Sequence, residues 1–383
     1  MIGQAQILNF FNFAKNTCRA RQNDGGNNVK KENRVSGGKA AKSKFSYLII
    51  ALGAVAVVAV GLLIGYIAMN ASRTNPDCFT ITDGVLTAYE GDDRTVTIPD
   101  GVVVVAERVF IGHEEIEKVV MPASLTTLKN GAFYGCTALK EIKFSSALNF
   151  IGDAAFGECP ALTEFTLPAS VQYIHSEAFY DSTGLTAFSV ESGNPNYVSK
   201  DGVIYSADMT NLIAYPAGRT DESFTVPEGV EVIASGAFAF NEHLKTIALG
   251  SVREIGERAF LNCTALSGVS LPGTVETVYK EAFSGCAALA TLEIAEGVQI
   301  FGENTFAGCT ALARVEFPEG MKEIGRACFS GCTALTYVSF PASMEGIYET
   351  AFAGCENLTI YGYAGSPSEA FAAEYDIPFE TLG

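Results

Sequence analysis

The residues best able to do chemistry in this 383-residue chain are its ten cysteines, three histidines and forty-three acidic side chains. Seven cysteines share one register: Cys136, Cys159, Cys263, Cys286, Cys309, Cys332 and Cys355, with neighbours in each run 23 residues apart. A zinc site needs ligands that converge at short spacing, and this pattern delivers one thiol at a time. A periodic cysteine is better explained as a small buried hydrophobe, so reduced, packed thiols are expected. Bridging between neighbours is the alternative, and it requires Cα atoms within about 7 Å. Cys78 stands outside the register, as a lone thiol or as a link between two chains. His113, His175 and His243 fall at three different places relative to that register, and no serine has a histidine at a readable spacing. Asp92 and Asp93 are adjacent carboxylates, but calcium takes six to eight oxygens, so a solvated turn is expected there. Glu141, Glu164, Glu293 and Glu316 alternate with other polar residues, as on a solvated strand face. No catalytic, cofactor or metal constellation is expected.

What must hold these residues is a repeat. A phenylalanine, usually preceded by alanine, returns at 110, 133, 156, 179, 238, 260, 283, 306, 329 and 352. The intervals are 23 except for one of 22 and one of 59. Apolar residues recur eight and five before it, as in Val171 and Ile174, and a leucine six after it, as in Leu162 and Leu335. Pairs nine and eleven after it, such as Phe165/Leu167 and Val338/Phe340, alternate as in a strand with one buried face, and a proline often follows. Such a period means stacked units that share one dry interior. The expected fold is a solenoid of ten repeats, α/β in class, strand-dominated with short helical turns.

The unit Leu-x-x-Ile-x-Leu-Pro, then Val-x-x-Ile-Gly-x-x-Ala-Phe-x-x-Cys, resembles the BspA-like leucine-rich repeats, over roughly residues 79 to 383. The run through Leu167-Pro168 and Val171-x-x-Ile174 and the run Leu335 to Phe352 carry the resemblance best. Departures are Val109 and His113 in the first copy, Thr305 and Cys328 before their phenylalanines, and Ser182 and Asn241 in the cysteine column; they are expected to be drift and edge effects that leave the fold intact. The resemblance implies a cell-surface protein that adheres to or recognises macromolecules, and it implies no cofactor.

Net charge is −18, which argues against nucleic acid as a partner. Residues 1–69 carry +7 and residues 70–383 carry −25. Residues 1–44 have the composition of a basic, mostly disordered tail. Residues 45–69 hold no charge; as a helix they span about 37 Å, enough to cross a bilayer core of about 30 Å. Lysine and arginine flank only the N-terminal side, which places the tail in the cytoplasm and the repeats outside. Residues 70–78 are a linker and 79–102 an atypical first unit that caps the array. Residues 103–190 form the first block of repeats and 224–363 the second. Between them, 191–223 is expected to insert a hairpin, Asp201-Gly202-Val203-Ile204-Tyr205 turning back through Leu212 to Tyr215. Its projecting loop, with Asp201, Tyr205, Asn211 and Tyr215, is the candidate contact for an extracellular protein or glycan, since binding residues concentrate in loops on rigid scaffolds. The other reading is an interruption that changes curvature. Residues 364–383 form a C-terminal cap, with Ser366-Pro367-Ser368-Glu369 opening a helix.

Overall fold

The structure, a computed structural model, describes residues 75–382. The transmembrane helix expected over 45–69 and the basic tail lie outside the described residues. Among the described residues no helix is long and apolar enough to cross a membrane.

The repeats coil into a β-solenoid, and each coil is stitched to the next along three lines. The first is a ladder of two-residue parallel strands, Val104–Val105, Thr127–Leu128, Phe150–Ile151 and Tyr173–Ile174 in the first block. The second residue of each pair points inward and the first outward, the alternation the sequence pattern demands. A second line of slightly longer parallel strands, such as Thr95–Thr97, Lys118–Val120 and Glu141–Lys143, carries the pairs that follow each leucine. The third line runs through the turns: within each block the N–H of a ladder phenylalanine donates to the carbonyl just before the next, as from Phe133 to Ala155 at 2.9 Å and from Phe283 to Thr305 at 2.8 Å.

These turns are not the short helices expected. A left-handed residue stands two before the phenylalanine in most coils (Gly131, Arg258, Ala327) and two after it in every coil (Gly135, Asn262, Gly331). A helix cannot pass through such residues, so the chain turns sharply on both sides of the ring. Glycine is also required where coils touch: a Cβ on Gly325 would come 2.5 Å from the Gly302 carbonyl carbon.

Inside, the phenylalanines form two stacked columns. Phe110, Phe133, Phe156 and Phe179 make one, and Phe238 through Phe352 the other, with ring centroids 4.8–6.1 Å apart and planes within 15°. Each column starts on a tyrosine. Tyr89 lies 5.1 Å from Phe110 and Tyr215 lies 4.7 Å from Phe238.

The insertion does not project. It is a three-stranded meander, Tyr197–Lys200, Val203–Ser206 and Asn211–Ala214, whose last strand pairs in parallel with Val232–Ile233 and so begins the inner ladder of the second block. Asp201 and Gly202 both have positive φ (51° and 79°), the type I′ turn that Asp-Gly favours, as do Asp83 and Gly84 in the first unit. The middle strand is buried on both faces: Ile204 belongs to the core of the first block, while Val203 and Tyr205 belong to that of the second. A projecting loop was expected because binding residues concentrate in loops on rigid scaffolds; instead two cores, one on each side, bury Val203, Ile204 and Tyr205.

The far end is closed by the helix Pro367–Glu374, capped by the Ser366 hydroxyl, which accepts from Glu369 N–H at 3.3 Å, and by the strand Phe379–Thr381, parallel to Thr359–Gly362.

Candidate interaction surface

The column cysteines are core residues, and eight cysteines are free among the described residues. Each of the seven sits over the open carbonyl of the ladder phenylalanine one coil earlier, its Sγ donating at 3.1–3.4 Å, as from Cys136 to Phe110 and from Cys286 to Phe260. A small hydrophobe with one weak donor suits that position. Burial pushes the thiols up, that of Cys263 to about 12. Cys78 stands outside the column and is buried.

Ser182 and Asn241 stand in the column on either side of the insertion, as edge effects, and each makes its own bonds. Ser182 makes the same bond to Phe156 O at 2.6 Å and also accepts from Cys159 N–H at 3.1 Å. Asn241, fully buried, follows the insertion instead of a regular coil. Its amide donates to the carbonyls of Pro216, Ala217 and Arg219 and accepts from His243 and Leu244 N–H at 3.0 and 2.7 Å. His113, also buried, directs Nδ1 at Glu115, 3.0 Å away. His175 lies 3.5 Å from Asp153, so the three histidines share no site. The Asp93 carboxylate accepts from the Tyr89 hydroxyl at 3.0 Å. Among the described residues no three metal-ligating side chains converge.

Of the four residues expected to contact a partner, Tyr205 and Tyr215 are buried (1% and 3% exposed) and serve as core. Asp201 is exposed and Asn211 partly so. Beside them, where the two phenylalanine columns part, Glu177, Arg258 and Glu281 form a bridge: Arg258 lies 3.8 Å from Glu177 and 2.6 Å from Glu281. Burial raises the Glu177 carboxyl while Arg258 opposes the rise. The cavity under this bridge holds about 20 Å³, room for one water and no organic ligand.

Larger open surface lies on the faces of the solenoid. On the inner-ladder strands the outward column six before each phenylalanine holds Val104 and Thr127, but then Phe150 and Tyr173. Their rings stack at 5.2 Å and 13°, and Tyr173 is 48% exposed. Tyr279, Ile300 and Tyr348 are exposed along the corresponding face of the second block. The column in the sequence could have revealed Phe150 and Tyr173, because an aromatic at an outward position has no core to explain it. Ile81, Val103, Tyr363 and Tyr375 are exposed elsewhere, and cross-strand charges pair at the coil spacing, as in Arg94–Glu117 at 2.9 Å and Lys245–Glu222 at 2.6 Å.

A rigid stack of strand-turn coils with fixed apolar columns and no convergent chemistry defines a leucine-rich-repeat solenoid. The BspA type leucine rich repeat region matches residues 90–201 and 231–359 in six copies, more than half of the chain, and leaves out most of the meander. The protein belongs to that family. It is similar in structure to a leucine-rich repeat protein from Eubacterium ventriosum (24% identity, 71% of this chain and 91% of that one, TM-score 0.59). It is also similar to the pneumococcal vaccine antigen PcpA (22% identity, 77% and 80%, TM-score 0.56). No curated protein sequence matches the chain.

Proposed function

We infer that this protein is a membrane-anchored binding protein of the cell surface rather than an enzyme. Residues 45–69 anchor it, the basic tail stays inside, and the acidic solenoid stands outside and recognises a protein or glycan partner. The observation that carries the reading is the outward Phe150–Tyr173 pair, fixed on a hydrogen-bonded ladder, with Tyr279, Ile300 and Tyr348 continuing the exposed apolar face beyond the meander. Aromatic side chains on a rigid surface supply large contact area at low conformational-entropy cost. Asp201 and Asn211 contribute from the meander edge.

The test is retention of the detergent-solubilised chain on arrays of glycans and extracellular-matrix proteins. A specific signal that falls at least tenfold in Tyr173→Ala supports recognition through this face. Failure to retain any component would favour the second reading, a structural envelope scaffold. Protease shaving of whole cells tests the address: release of the acidic part is expected, and its protection would overturn the orientation.

A further inference from the structure

The outer strands of the first block follow one another at the coil spacing, yet their ladder is cut in the middle. Lys118–Val120 and Glu141–Lys143 are fully joined: Glu117 O accepts from Lys140 and Glu141 N–H at 2.9 and 3.2 Å, and Met121 N–H donates to Lys143 O at 3.0 Å. One coil further, no residue of Glu141–Lys143 pairs with Glu164–Leu167, and the corresponding bonds, from Glu164 to Lys140 O and from Phe144 to Thr166 O, are missing. Nearly all Cα pairs between these two strands are more than 8 Å apart, against about 4.8 Å between paired strands. On the other two lines the same coils remain stitched. Aromatic rings crowd the coils beside the opening. Phe144 stands edge-on to both Phe165 and Phe156, at 5.1 and 6.3 Å. Neighbouring coils place Met121 and Leu167 where Phe144 stands.

The opening is a groove of about 650 Å³, within the ~300–1,000 Å³ of ligand clefts. Its floor is Ile142, Phe144 and Phe165. Backbone groups of a strand alternate between its two edges, so Ile142 and Phe144 on one side, and Glu164 and Thr166 on the other, turn unpaired amides toward the groove. The rims carry opposite charge. Lys118 and Lys140 are engaged by Glu141 and Glu117, whereas among the described residues Lys143 and Glu164 have no ion-pair partner.

We propose that this groove binds an extended segment of a partner polypeptide, inserted as the missing strand between Glu141–Lys143 and Glu164–Leu167. Two facing edges offer amide donors and acceptors at the two-residue period that only a polypeptide backbone matches on both sides. The segment sets apolar side chains on the Phe165 floor, an acidic one beside Lys143 and a basic one beside Glu164. The proposal rests on the reading that the solenoid recognises macromolecules and names the chemistry of one partner.

Random dodecapeptides displayed on phage are selected on the full chain in detergent. Selected peptides are expected to slow hydrogen exchange at Ile142, Phe144, Glu164 and Thr166 at least tenfold. N-methylation of either alternate set of peptide amides should weaken binding at least tenfold, because an inserted strand bonds on both edges. Ile142→Pro, which removes a donor facing the groove but none facing Lys118–Val120, should weaken binding about tenfold; if that variant does not fold, the methylated peptides still decide. Absence of selected peptides, protection elsewhere, or tolerance of either methylated set overturns the proposal, as does a glycan that protects the same amides. Loss of peptide binding with array retention intact would sink this site and leave the proposed function standing.

Discussion

The two tyrosines that begin the aromatic columns occupy equivalent places but have opposite surroundings, so removing their hydroxyls should have opposite effects. The Tyr89 hydroxyl donates to Asp93 Oδ2 at 3.0 Å and accepts from Asp93 N–H at 3.3 Å. The Tyr215 hydroxyl is buried with no partner, while its ring stacks on Phe238 at 4.7 Å and meets Phe224 edge-on at 5.0 Å. Every later rung of that column is a phenylalanine. A buried hydroxyl without a bond costs ~1–3 kcal/mol, and a bond to a carboxylate contributes ~1.5–3 kcal/mol. Tyr215→Phe should therefore stabilise the second block by about 1 kcal/mol or more, and Tyr89→Phe should destabilise the first by about 2 kcal/mol. A repeat array need not unfold in one step, so the assay is amide exchange read at the opening coils of each block, beside urea unfolding of the full chain in detergent. The reasoning fails if Tyr215→Phe loses 1 kcal/mol or more. That outcome would mean that a water in the adjoining 20 Å³ cavity already bonds the hydroxyl.

Two further predictions concern the column that follows the aromatic one. Burial holds the column thiols above their ordinary value near 9, Cys159 and Cys309 at about 12. The folded state then keeps protons that the unfolded state has lost between these values, so stability is full below pH 9 and falls as pH rises above it, by about 1.4 kcal/mol per thiol per pH unit. Unfolding midpoints between pH 7 and 10.5 check this, and serine in place of two column cysteines should flatten the slope. Asn241→Ala strips three carbonyls and two amides of their partner and should cost at least about 3 kcal/mol, whereas Ser182→Cys should be nearly neutral. Thermal unfolding of the two variants makes that comparison.

The solenoid was legible because a ladder repeats its cause: Phe, Leu and Ile at fixed offsets can be counted without knowing where they point. The turns were misread because an Ala-Phe segment has helical propensity, while the left-handed residues beside it, such as Arg258 and Ala327, do not announce themselves by type. The meander was misplaced for another reason. Val203-Ile204-Tyr205 shows which residues are apolar but not that a separate core waits on each side. The groove between Glu141–Lys143 and Glu164–Leu167 left no mark in the spacing, since the coil length there stays at 23.

The doubly buried strand Val203–Ser206 gives the molecule a bulkhead. Fraying that starts at the capping helix and runs coil by coil toward the first block must stop there or break two interiors at once. A chain pulled at its C-terminal end would accordingly surrender its length in two instalments, with the first block the last to yield.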